Sequence, residues 1–309
     1  MNRAVRPPLR RVDGVLLLDK PRGLSSNIAL QRARHLLRAE KAGHTGTLDP
    51  EATGLLPLCF GEATKFSSRL LEAAKGYEAE LRLGETSTTG DAEGAILPGP
   101  GPVPDDAAAV HAVLRSLLGA QQQVPPMHSA LKHDGRPLYD YARAGVEVAR
   151  PVRQIVVQRL ELLAFSGHSL RVQADCSKGT YIRVLAEEIG RRLGCGAWLS
   201  ALRRNRTGGF ALDDAITLDA LTGLDEDQRT ALLLPPERLV ADLTLLVLDA
   251  DQADGLVHGR SPALDPLTVL PPVDLVVRAH DPAGRFLGLV RRSAQDRIVA
   301  VRLMAEPAK

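Results

Sequence analysis

The chain has 309 residues, 44% of them hydrophobic and 25% charged, with a formal net charge of +2. This is an ordinary globular composition, with room for one large domain and one small one that fold without disulfide staples. Three scattered cysteines, Cys59, Cys176 and Cys195, show no CxxC or Cys/His spacing, which argues against zinc and for free thiols in a reducing compartment. The longest apolar run near the N-terminus covers only residues 15–18, and nothing later approaches a membrane span, so a cytoplasmic protein is expected.

The global charge announces no nucleic-acid partner, but the local charge says more. Residues 1–41 hold ten Lys/Arg against three Asp/Glu, and residues 178–206 hold seven against two. Such blocks can track phosphates; a solvated surface is the plainer alternative.

In chain order, residues 14–20 read as a buried strand, and Pro21-Arg22-Gly23 as the turn after it. Ser25 or Ser26 can cap a helix whose apolar positions are Ala29, Ala33, Leu36 and Leu37. A glycine-rich stretch, Gly43-His44-Thr45-Gly46-Thr47-Leu48-Asp49-Pro50, reads as a structured loop. Taken alone, Asp49-Pro50-Glu51-Ala52 looks like a helix N-cap followed by proline at the first helical position. Residues 77–83 alternate, with Tyr77, Ala79, Leu81 and Leu83 on one face. Residues 98–104 are a Pro/Gly connector and residues 105–118 look helical. Residues 170–176 alternate again, and Thr180 can cap a helix carrying Leu185, Ile189 and Leu193 on one side. Pro235-Pro236 marks a boundary, and strands are expected over 274–279, 285–292 and 297–303. The predicted organisation is therefore a domain over 1–240 and a small β domain over 243–309.

The stretch from Gly43 to Pro50, continued by Ala52-Thr53-Gly54-Leu55-Leu56-Pro57, closely resembles the signature of the TruB-type tRNA pseudouridine(55) synthases. Four further blocks are similar to that family and fall in its order. They are Asp19-Lys20-Pro21-Arg22-Gly23; Lys75-Gly76-Tyr77 with Thr89 and Asp91; Gln123-Val124-Pro125-Pro126 with Ser129-Ala130-Leu131-Lys132; and Cys176-Ser177-Lys178-Gly179-Thr180-Tyr181-Ile182-Arg183 with Leu202-Arg203-Arg204. The resemblance covers residues 14 to about 220, and the tail is more loosely similar to a PUA RNA-binding domain. One departure is His128, where an aromatic is expected before the Ser-Ala-Leu-Lys run.

The resemblance implies an α+β fold: a mixed, largely antiparallel sheet flanked by helices, followed by a PUA-like β-barrel. It implies an isomerase that flips a uridine out of the tRNA T-arm and makes it pseudouridine, with Asp49 catalytic. Tyr77, Arg183, Tyr181 and Leu202 would support the site, and His44, Lys20, Lys65 and Arg203 would meet RNA. Attack on the sugar, attack on the base and a glycal route all remain open. Each needs an ionised carboxylate in a sheltered pocket, hence a nearby cation, for which the resemblance offers Arg183. An arginine in the first turn of a helix opposes the dipole by about 0.3–1 kcal/mol, which a facing carboxylate would offset. The chemistry needs no cofactor and no metal. The expected partner is tRNA, with no membrane and no obligate protein partner, and a monomer is expected. Two alternatives are a guide-RNA-dependent synthase and a tRNA-binding or folding factor.

Overall fold

The computed structural model describes residues 8–263 and 271–305. Its largest feature is a ten-stranded sheet. The strands run in the order Ile216–Thr217, Gly14–Lys20, Thr53–Phe60, Ala197–Thr207, Lys75–Leu83, Ser169–Cys176, Arg153–Ser166 and Gly119–Gln123. Two short strands, Ala42–His44 and Phe210–Ala211, pair at its margins. Most ladders are antiparallel; the exceptions are Gly14–Lys20 with Ile216–Thr217, and Thr53–Phe60 with Ala197–Thr207. A mixed, largely antiparallel sheet flanked by helices is the architecture expected from the sequence.

The sheet is two halves joined by a narrow seam. The second parallel ladder consists of two residue pairs, Arg203 with Thr53 and Arg204 with Gly54. On one side, the Ser26–Leu36 helix packs Ala29, Leu30 and Ala33 against Leu16, Leu18, Leu56 and Leu58. On the other, the Ala107–Ser116 and Ile182–Leu193 helices cover Leu81, Leu83, Leu170 and Val172. Leu202, partly buried, touches both cores. At the seam Gly54 has φ +101°, and a Cβ there would lie 2.3 Å from the carbonyl oxygen of Arg204. Both the backbone angle and the space demand glycine. Gly54→Ala is expected to cost at least about 2 kcal/mol, read as a lowered urea midpoint, with loss of activity at permissive temperature.

Strands with clean alternation fall where the sequence puts them: Gly14–Lys20 is matched to the residue, and 77–83 lies within Lys75–Leu83. Two capping expectations are corrected. No helix follows Asp49; its carbonyl accepts from the Ala52 amide at 3.1 Å in a turn, and Thr53–Phe60 begins at once. The run Gly54-Leu55-Leu56-Pro57-Leu58-Cys59-Phe60 is apolar all round and is buried in the sheet. That tertiary burial overrides the local Asp-Pro helix signal. The helix after residue 180 is capped by Tyr181, without a side-chain bond, while Thr180 Oγ1 turns back to the Ser177 carbonyl at 3.0 Å. The expected cap at Ser25 is present, its hydroxyl accepting from the Ile28 amide at 3.2 Å.

Near the C-terminus a separate four-stranded sheet runs Leu245–Val247, Val276–His280, Phe286–Arg292, Ile298–Leu303. Val276, Phe286, Leu289 and Met304 pack onto the far face of the large sheet beside Phe66 and Leu239. The three strand signals after residue 270 lie here; the short Leu245–Val247 strand has no comparable signal. Among the described residues, no helix is long and apolar enough to cross a membrane.

Candidate active site

The site is built across the seam, and each half contributes. From the N-terminal half comes the loop after Ala42–His44. The Thr45 amide and hydroxyl both donate to the Pro57 carbonyl, at 3.1 and 3.3 Å. The buried Ser26 hydroxyl donates to the Leu48 carbonyl at 2.9 Å and accepts from the Leu48 amide at 2.8 Å. The backbone on the N-terminal side of Asp49 is therefore clamped from the helix. On the other side, Lys20, fully buried, donates to the carbonyls of Pro21, Leu24 and Pro50 at 2.9, 2.6 and 3.3 Å. Burial pulls the Lys20 pKa down to about 8, with Asp49 and Glu51 pulling it back up.

From the other half comes Arg183, at the second position of the Ile182–Leu193 helix. Its Nη2 lies 3.0 Å from Asp49 Oδ2, and its Nη1 lies 3.3 Å from Asp91 Oδ2. The same guanidinium donates to the carbonyls of Thr89 and His128, at 3.2 and 2.7 Å. The unfavourable helix-dipole position is thus answered by two carboxylates and two carbonyls. Only 7% of the Arg183 side chain is exposed, against 46% of Asp49, so the cation is fixed in the interior while the carboxylate opens to solvent. Even so, the crowding walls raise the Asp49 pKa above its ordinary 3.8; Arg183 pulls it down and Asp91 pushes it up.

Tyr77, 7% exposed, is close enough to Asp49 to feel its charge. Burial raises its phenol pKa, and the positive charge of Arg204 opposes that rise. Arg204 is itself 1% exposed and donates to the carbonyls of Leu55 at 2.8 Å and Gly46 at 3.0 Å. Tyr181 is half-buried, and its backbone is held in both directions by Gln123. The Tyr181 amide donates to Gln123 Oε1 at 2.8 Å, and Gln123 Nε2 donates to the Tyr181 carbonyl at 3.1 Å. Leu202 sits at the seam between the two cores.

The residues expected at RNA are dispersed. The His44 ring is held neutral by burial and by Arg204, and its Nδ1 is buried without a partner. Arg203 forks onto Asp19, with contacts of 3.1 and 2.8 Å. Lys65 pairs with Glu62 at 2.6 Å and donates to the Leu303 carbonyl at 3.0 Å, so it ties the C-terminal sheet to the large one. His128, the departure from the family pattern, meets Arg183 through its backbone carbonyl, which any residue supplies.

Three contributors carried no assigned role in the sequence reading: Asp91, Gln123 and Arg204. All three stand in blocks quoted above, but only the closed fold reveals what they touch. The arrangement offers one carboxylate, open to solvent and braced by a buried guanidinium, with the phenols of Tyr77 and Tyr181 within reach of its charge. That can supply a nucleophile with a cation-tuned charge and an apolar and aromatic wall for a planar base.

Comparison with known proteins shows the family. A profile described as TruB family pseudouridylate synthase, N-terminal domain, matches residues 34–182. A second, described as tRNA pseudouridylate synthase B C-terminal domain, matches residues 183–241. The chain is 59% identical over 252 residues to the tRNA pseudouridine synthase B of Aromatoleum aromaticum, covering 81% of each chain. It is 53% identical to that of Burkholderia lata, covering 93% of this chain and 89% of the relative. Against that of Chromobacterium violaceum it is 48% identical, covering 97% of both. Among solved structures, a Cbf5–Nop10–Gar1 complex superposes with a TM-score of 0.69 at 26% identity, over 95% of this chain and 84% of the other. An H/ACA RNP bound to a substrate RNA containing 2'-deoxyuridine superposes with a TM-score of 0.70, also at 26%, over 95% and 85%.

Proposed function

The chain belongs to the TruB family of pseudouridylate synthases, and from that premise we propose that it isomerises the uridine at position 55, in the T-arm of tRNA, with Asp49 as the attacking group. The enzyme is an isomerase acting on tRNA uridine. The observation that carries the finer reading is the Asp49–Arg183 pair at 3.0 Å, with the carboxylate on the open side and the guanidinium buried.

The reaction breaks the ribose bond to N1 of uracil and remakes it to C5, with no net redox change. A stacked uridine is out of reach, so the nucleotide is extruded at a cost of a few kcal/mol and received against Tyr77, Tyr181 and Leu202. Arg183 keeps enough of Asp49 ionised to attack. Tyr77, whose phenol feels the charges of Arg204 and Asp49, is in this reading the group that takes the C5 proton. His44, neutral, is suited to fill the space the base leaves. Arg203 and the basic blocks meet the RNA backbone, and the C-terminal sheet serves as a PUA-like RNA-binding domain. The protein works in the cytoplasm on free tRNA.

The test is tRNA transcript tritiated at uridine C5, incubated with the purified protein alone. Release of one tritium per tRNA, lost when uridine 55 is replaced by cytidine, is the expected result. Release that requires an added guide RNA would favour a guide-dependent synthase, and binding without release would favour a folding factor.

A further inference from the structure

Several cations near the site are engaged within the protein. Arg203 holds Asp19, Arg206 holds Asp175 at 2.8 Å, Lys178 holds Glu72, and Arg150 holds the Pro125 carbonyl at 3.1 Å and Glu147. Arg153 is different. It opens the Arg153–Ser166 strand, paired with Gln123, the residue that grips Tyr181. It is half-buried, yet its guanidinium makes no hydrogen bond or ion pair with any of the described residues. Beside it lies the Ser177–Thr180 turn. A Cβ on Gly179 would meet nothing within 4 Å except Arg153 Nη1, at 3.9 Å. The notch between the guanidinium and that turn is open. The ladder partner of Arg153, Gln123, holds the Tyr181 backbone in both directions, which links the notch to the site.

We infer that Arg153 is a substrate-contacting residue: its free guanidinium in the notch beside Gly179 binds a backbone phosphate of the RNA next to the extruded nucleotide. The inference rests on the tRNA reading above. A guanidinium fork with unused donors, held by a strand and unopposed by any carboxylate, matches the shape and charge of a phosphate. Arg203, Arg206 and Lys178 must first give up a carboxylate partner to meet a phosphate, whereas Arg153 need not.

The experiment compares wild type with Arg153→Gln and Arg153→Lys, measuring tRNA affinity across a salt series and single-turnover tritium release at saturating tRNA. Arg153→Gln is expected to weaken binding about five- to tenfold and to lower the slope of log affinity against log salt by about 0.7–0.9, the share of one phosphate. The saturated rate should stay within about twofold of wild type, and Arg153→Lys should restore the slope. An unchanged salt slope, or a loss confined to the saturated rate, would overturn the assignment. The affinity arm reads Arg153 whether or not tritium is released, so failure of the functional reading would be seen separately as wild-type protein that binds tRNA but releases nothing.

Discussion

Replacing Asp49 with asparagine should abolish tritium release, by at least about a thousandfold, while tRNA affinity stays within a few-fold of wild type. The amide keeps the shape of the carboxylate but cannot attack, and its oxygen can still accept from Arg183. The same substitution should not destabilise the fold. A carboxyl whose folded-state pKa is raised above 3.8 favours folding most at pH below 3.8, where it is protonated, and that contribution is lost as pH rises through the folded value. At neutral pH the ionised Asp49 is therefore a liability to stability, a small one because 46% of its side chain meets solvent. Thermal unfolding of Asp49→Asn is expected at the wild-type Tm or about 1–2 °C above it. A clear fall in Tm would mean that the carboxylate is a structural element rather than a functional one.

Loss of Arg183 should act on both rate and fold. Removing one partner from a buried ionic network costs about 3–5 kcal/mol, because Asp49 and Asp91 are left facing each other without their shared cation. Arg183→Met is therefore expected to lower the urea midpoint strongly. Arg183→Lys keeps a charge but cannot reach two carboxylates and two carbonyls from one point, so the fold should survive better than the chemistry. For the lysine variant a fall in kcat of about a hundredfold or more is expected, with KM little changed. The acid limb of the pH–rate profile should also move. Arg183 is the strongest influence holding the Asp49 pKa down, so weakening it shifts the limb to higher pH. An unshifted limb would separate Arg183 from the ionisation of Asp49.

How much of this was legible in the sequence follows from how local each signal is. The Gly43–Pro50 stretch and the Thr180-Tyr181-Ile182-Arg183 run are contiguous, so both partners of the central ion pair could be named before any coordinates. The strands at Gly14–Lys20 and Lys75–Leu83 alternate or run apolar without interruption, and they stand where expected. The Ala197–Thr207 strand was not legible, because bulges between Leu199 and Ala201 and between Arg204 and Arg206 break its period of two. The long Arg153–Ser166 strand is irregular for the same reason. The helix expected after Asp49 failed because the apolar run behind it is buried in the sheet. Asp91 and Arg204 could not be given roles from spacing, since their partners lie across the fold.

The seam between the halves of the large sheet has one more implication. Asp49 and Lys20 ride on one half, Tyr77 and Arg183 on the other, and two residue pairs register them. On the proposed assignment neither half carries a working fraction of the machinery, so competence belongs to the assembled body alone. A chain that has made its helices and most of its strands but has not yet docked its halves is still catalytically silent, and turnover becomes a stricter gauge of native structure than any spectrum of secondary structure.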